Sequence, residues 1–587
     1  MRTSRFLLFI LLALFYANTV SAIIVGNQFT RDGITYEVTF MDVAHDGHPA
    51  RYEVKFVSSN LAGALSIPET VADLNNQYTF KVTAIAANST VPNATSVTIP
   101  SNVTTINANS FKGSNITNIN IPATVTEIKD GAFSYMEGLK AITVDAGNSK
   151  YSATDGVLYE NKTEGKYLSA YPVAKDGTPF GVGGLEFTVP EGVVGVSTNG
   201  FQKAGKLSRI NLPASLKYLP TNQEGNGFTS ATNLKEIKVA ATNPNFQDID
   251  GVVVTKDGKT LVSYPNNKGG IKDTNYDAPL SIDPTHAKRP GEYYEIPAGV
   301  EIIKDGAFAQ VQTITAVKLN DVKTIKKGAF YSVRNLRNVE ISSSVTSIED
   351  GAITGSPDLL SFKVDAGNPN YKADSEGVIY NKAGTELVLY PAGRAGEYTT
   401  LPTTQTIRNR AFYYAQKVTK VNFNSGLTDI GNDCFQAAAT LKEITFTAPS
   451  TLKNIGTFSF YGTGLEHLTI PASVENIGWN SFSPTKLKTV EVEDGSKLKT
   501  IARDAFANNT DLEEFKFLGS SDLEKIEKGA FKGNTKQKEF TIPKNVTTIE
   551  RGAFDGNLAM EKVTFDQPAK IQTIGEGAFQ GAQALKR

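Results

Sequence analysis

The sequence predicts a β-rich solenoid of roughly 15 turns of 22–25 residues, with a small β cap at the amino-terminal end and three β-hairpin insertions. Three observations carry that prediction. A Phe preceded by a small residue recurs down the chain, each repeat holds a short alternation of apolar and polar residues, and Pro follows that alternation in many copies. A chain of 587 residues would otherwise divide into about four globular domains. Units this short cannot bury an apolar face alone, so they are stable only when stacked on their neighbours.

Residues 1–22 read as a cleaved export signal. Arg2 and Arg5 precede an apolar run from Phe6 to Tyr16, and Val20-Ser21-Ala22 is a small-residue cleavage site. The run is about half the length a membrane-spanning helix needs, and no later segment is apolar enough to span a bilayer. The expected location is therefore secreted or cell-surface. Residues 23–90 are the expected cap, with strand patterns at 34–40, 52–57 and 78–82.

The coil is expected over 91–587. Its repeating Phe occupies positions 111, 133, 201, 228, 308, 330, 412, 435, 460, 482, 506, 531, 554 and 579, with Ile353 in the same slot. The residue before each is Ala, Ser, Gly or Cys, which allows the next turn to come close. Uninterrupted spacings of 22–25 residues, with one of 27, match the period of a leucine-rich-repeat solenoid and are too short for paired-helix repeats. Stretches such as Leu441-Lys442-Glu443-Ile444-Thr445-Phe446 alternate with period two, the mark of a half-buried strand. Pro100, Pro122, Pro190, Pro213, Pro297, Pro402, Pro471 and Pro543 end such strands, because proline has no N–H to give to a ladder. A second apolar pair, such as Val474 and Ile477 or Val546 and Ile549, predicts an opposite wall.

Three longer intervals hold a further strand and an insertion each, near 145–175, 240–292 and 365–395. Each shares an Asn (148, 243, 368), an aromatic residue three positions on (Tyr151, Phe246, Tyr371), a Gly-Val step and a closing Tyr-Pro. They read as hairpins projecting from the coil. Residues 270–292 read as a polar loop.

The strand running into Ile-Pro, the Val-x-x-Ile pair and the Gly-Ala-Phe between Ile542 and Phe554 closely resemble the BspA-like leucine-rich repeats. The Asp-Gly-Val-Leu-Tyr and Tyr-Pro insertions resemble those interleaved in the same family, and the likeness runs from about residue 60 to the end. It implies a protein on, or released from, a microbial surface, with a role in adhesion to host matrix proteins or other cells. The final residues, Gln583 to Arg587, match the opening of another strand, so a partner or further repeats are expected at that end.

Other chemistry finds little footing. Lys plus Arg number 59 against 60 Asp plus Glu, a net charge of -1, which offers no cationic field for nucleic acid. The one cysteine, Cys434, falls in the small-residue slot and reads as packing. Four histidines supply no zinc ligand set; His45 and His48 read as loop residues and His467 as an outward strand residue. No nucleophile, phosphate-loop or calcium-loop motif is present, so neither cofactor nor metal is expected.

The expected function is binding of an extracellular protein or glycoprotein through the outward strand residues Glu443, Thr445, His467, Thr469, Thr489, Glu491, Glu514, Lys516, Glu539, Thr541, Lys562 and Thr564, and through the hairpins. Their mixed charge suits protein better than nucleic acid or lipid. A structural stalk or self-assembling surface component is the alternative, and an exported glycan-active enzyme a weaker one.

Overall fold

The structure is a computed structural model that describes residues 25–42, 49–181, 183–222, 225–269, 271–273 and 291–586. The expected export signal and both His45 and His48 lie outside the described residues. The chain forms two compact units, one of Met1–Gly177 with Gly192–Lys206 and one of Thr178–Glu191 with Leu207–Arg587.

In the first unit, Gln28–Arg31, Ile34–Asp42 and Arg51–Ser59 form an antiparallel sheet. Arg51–Ser59 then pairs in parallel with Thr79–Thr90, which pairs in parallel with Thr105–Ile106. The cap is thus hydrogen-bonded into the coil's second wall. The first wall begins inside the predicted cap, where Gly63–Ser66 pairs with Ala94–Thr98. Phe29, Tyr36, Val54, Phe56 and Phe80 share one buried core with the coil residues Phe111, Phe133 and Leu158.

One turn of the coil has three sides. A first-wall strand of about four residues, such as His467–Ile470, places every second side chain inside: Leu468 and Ile470 are buried while His467 and Thr469 are exposed. Proline then stops the strand, and its carbonyl accepts the N–H three residues on, as in Val474 N to Pro471 O and Val546 N to Pro543 O, both 3.1 Å. Two-residue strands such as Asn476–Ile477 and Thr548–Ile549 make the second wall, pairing in parallel from turn to turn.

The repeating Phe lies in the turns of the third side. Its N–H donates to the carbonyl of the small residue in the next turn: Phe460 to Ser481, Phe482 to Ala505, Phe506 to Ala530 and Phe531 to Ala553, all at 2.8–2.9 Å. These bonds are the close approach the small residue permits, and Cys434 serves Phe412 in the same way at 2.9 Å. From Tyr390 through Phe412, Phe435, Phe460, Phe482, Phe506, Phe531, Phe554 and Phe579, ring follows ring with centroids 4.4–5.7 Å apart and planes within 22°. That spacing is close to the strand-to-strand repeat of a sheet, so the interior aromatic column and the walls share one pitch.

Tyr390 heads that column although it comes from the Tyr-Pro of the third insertion. Tyr264 likewise stacks 4.8 Å from Phe308, and Tyr171 lies 5.6 Å from Phe201. Each insertion is therefore itself a turn of the coil, and together they bring it to about twenty turns.

The insertions do not project. In each, three antiparallel strands lie in the second wall, and the last joins the next turn in parallel: Gly165–Ala170 with Val193–Val196, Thr260–Ser263 with Ile302–Ile303, and Glu386–Leu389 with Thr406–Ile407. The inward residues Leu168, Leu261 and Leu387 are fully buried, as are Leu158 and Val378. An apolar strand with a free ladder edge beside it is more stable inside the wall than standing in water. The segment 270–292 is also not wholly loop, because Ile271–Asp273 pairs antiparallel with Gly291–Glu295.

Candidate functional site

The two outward positions of each first-wall strand align across turns into two ranks. Lys420, Glu443 occupy the first rank in one sheet, His467, Thr489 and Glu514 in the next, and Glu539 and Lys562 in a third. The second rank runs Asn422 and Thr445, then Thr469, Glu491 and Lys516, then Thr541 and Thr564. All twelve residues singled out from the sequence thus share one face of the second unit, and none is buried. The ladder has breaks after Glu443–Phe446 and after Glu514–Phe517, which alternation within single strands does not reveal.

Their charges are paired along the face. Lys420 Nζ lies 2.8 Å from Glu443, and Lys516 Nζ lies 2.9 Å from Glu491 and 3.1 Å from Glu514. The hydrogen bonds that Lys516 donates to Glu491 and Glu514 hold its ammonium above its ordinary range, and the one Lys420 donates to Glu443 does the same for Lys420. His467 Nδ1 sits 2.8 Å from Thr489 Oγ1, and Thr445 Oγ1 donates to Asn422 Oδ1 at 2.7 Å. Among the described residues the hydrogen-bond partner of the His467 ring is this hydroxyl.

Sequence reasoning missed the earlier part of this face. Lys318, Glu340 and Lys363 stand in register on three successive strands, with Lys363 Nζ 3.5 Å from Glu340. With Asn320, Ser342 and Asp365 they line a recess of about 400 Å³ at the strand ends. The strands were legible as alternations; the recess arises from side chains brought together across three turns.

Cys434 is fully buried, and burial pushes its thiol well above the ordinary range, which removes it as a nucleophile at neutral pH. Among the described residues no group of three or more His, Cys, Asp or Glu side chains could hold a metal ion. No helix of the described residues is long and apolar enough to cross a membrane.

Comparison with known families finds a match to the BspA type leucine rich repeat region over residues 61–160, 185–262, 288–374, 405–522 and 499–587. No curated protein matches. Among solved structures, a leucine-rich repeat protein from Eubacterium ventriosum is 19% identical over 74% of this chain and 95% of its own, with a TM-score of 0.40. One from Bacteroides ovatus is 15% identical over 95% and 93%, with a TM-score of 0.30. A leucine rich cell surface protein from Faecalibacterium prausnitzii is 13% identical over 94% and 100%, with a TM-score of 0.28.

Proposed function

The chain belongs to the BspA type leucine-rich repeat family, and we propose that it is an exported binding protein that engages an extracellular protein or glycoprotein through the outward face of its first wall. The observation that carries this reading is the pair of outward ranks, in register from turn to turn, with both signs of charge and hydroxyls interspersed. Solvent-exposed ion pairs such as Lys516 with Glu491 contribute little to stability. They can be exchanged for a partner's charges at little cost. A repeated surface also offers many weak contacts to one extended partner, and such contacts multiply in effect once the first is made.

Two features favour binding over catalysis. The only cysteine is buried, and the His467–Thr489 contact lies on the exposed strand face with no third side chain hydrogen-bonded to the His467 ring among the described residues. Adhesion to host matrix or to other cells is the form of binding we propose, with the signal at 1–22 delivering the chain to the outside. The test is to present purified protein to immobilised matrix proteins, mucins and cell-surface glycoproteins at physiological salt. Saturable, selective binding supports the proposal, and uniform absence of binding overturns it.

A further inference from the structure

The third side of the second unit carries a cleft of about 530 Å³ that belongs to neither wall. Two residues after the interior slots of Phe308, Phe330, Ile353 and Phe412 stand Gln310, Ser332, Gly355 and Tyr414, all in the left-handed region with φ of 61°, 54°, 68° and 56°. Three of these bring a side chain to the surface, and Gly355 brings none. A Cβ on Gly355 would lie 3.0 Å from Ser332 Oγ and 3.7 Å from Tyr414 Cβ. Gly355 lies in the cleft lining beside Ser332 and Pro357, and its bare backbone admits the close approach of Ser332.

The lining has a distinct chemistry. The half-buried Tyr331 forms one side, and the exposed Tyr414, outside the lining, stands edge-on to it at 6.4 Å and 88°. Gln310 Oε1 accepts a hydrogen bond from Ser230 Oγ at 2.7 Å, which fixes the carboxamide and leaves its NH₂ group without a partner among the described residues. Gln312 and Arg334 are exposed at the mouth, and the Arg334 guanidinium has no ion pair among the described residues. By contrast the nearby Arg410 is neutralised by Asp433 at 3.2 Å. Besides Tyr331, Pro357 is the one apolar side chain in the lining.

We propose that this cleft binds a carboxylated pyranose, the uronate or sialate type of sugar found in acidic glycans. A flat tyrosine ring suits the apolar face of a sugar ring, amide groups suit its hydroxyls, and a free guanidinium takes a carboxylate in bidentate fashion. A cleft of this size falls in the range of small-ligand sites. A peptide anchor would call for a more apolar lining than Tyr331 and Pro357 give. The site is separate in position from the first-wall face and does not depend on that face binding anything.

The test is calorimetric titration of the full chain with a tetrasaccharide alternating glucuronate and N-acetylglucosamine, beside a neutral N-acetylglucosamine tetrasaccharide and an octa-glutamate peptide. The acidic sugar is expected to bind saturably, at least about tenfold more tightly than the neutral one. Arg334→Ala, on an exposed side chain, is expected to weaken it by about tenfold or more with an unchanged thermal midpoint, and Gln312→Ala by about threefold. Saturation-transfer signals from the sugar ring protons are expected to fall in Tyr331→Ala. Absence of saturable binding at millimolar sugar, unchanged affinity in Arg334→Ala, or equal affinity for the glutamate peptide would each overturn the proposal.

Discussion

The phenolic oxygen of Tyr371 accepts a hydrogen bond from the backbone nitrogen of Ile348 across 3.0 Å. In the second wall Ser347 and Glu349 bond backward, to Lys323 and Ile325, so the Ile348 N–H faces the place of the next strand. The third insertion supplies no parallel strand there, and the tyrosine hydroxyl closes the ladder instead. Tyr151 does the same for Ile128 at 2.7 Å, where the first insertion begins. A spacing of 23 residues between hydroxyl and nitrogen, common to both, is a built-in stop for the wall.

Tyr371→Phe removes the acceptor and leaves a buried N–H unpaired. The expected cost is about 1–3 kcal/mol, read as a lower urea midpoint. An unchanged midpoint would mean that water replaces the hydroxyl.

Asn368 anchors the same insertion with four bonds: its Nδ2 donates to Ser342 O and Val345 O, and its Oδ1 accepts from Asn370 N and Tyr371 N, all at 2.7–2.9 Å. Asn148 and Asn243 repeat the arrangement. Asn368→Asp retains the acceptor and sets carboxylate against two carbonyls in a buried site. We expect it to destabilise by at least about 2 kcal/mol at pH 7, and less at pH 4, where the carboxyl can carry a proton and donate. Equal destabilisation at both pH values would contradict this.

Phe482 is fully buried and stacked between Phe460 and Phe506 at 5.0 and 5.2 Å. Phe482→Ala is expected to cost about 3–5 kcal/mol. Because each turn depends on its neighbours, hydrogen exchange should rise mainly over turns near 455–535 and leave the first unit protected. Uniform loss of protection along the chain would instead indicate a single cooperative unit.

Burial pushes Tyr36, Tyr151 and Tyr159 up to about 12. Their folded pKa values exceed the unfolded value near 10, so the unfolded chain loses protons first as pH rises. The stabilisation is complete below pH 10 and is lost between about 10 and 12. Absorbance at 295 nm should show these phenols ionising together with loss of β circular dichroism. Their smooth titration near pH 10 in a still-folded chain would refute the assignment.

Much of this architecture is written locally. The small-residue-then-Phe repeat carries the interior column because slot and spacing recur in each turn, and alternation within Glu443–Phe446 or Thr489–Val492 already separates outward from inward side chains. What escaped the sequence depends on partners in other turns. Two strands joined by a polar turn look like a projecting hairpin until Leu387 is seen paired with Ile407. The role of Asn368 rests on carbonyls more than twenty residues away. The third-side cleft is lined by Gln310, Gln312, Tyr331, Arg334 and Pro357 from three different repeats, a grouping that no single repeat displays.

The most direct test of the binding proposal compares the intact chain with a variant carrying Glu443→Ser, His467→Ser, Glu491→Ser, Glu514→Ser, Lys516→Ser and Lys562→Ser, all on outward positions whose loss leaves the core untouched. Surface plasmon resonance against the matrix protein or glycoprotein bound best by the intact chain is the measurement. Affinity at least about tenfold weaker in the variant, with the same unfolding midpoint, is the result the account predicts. Equal affinity in the two proteins would contradict it.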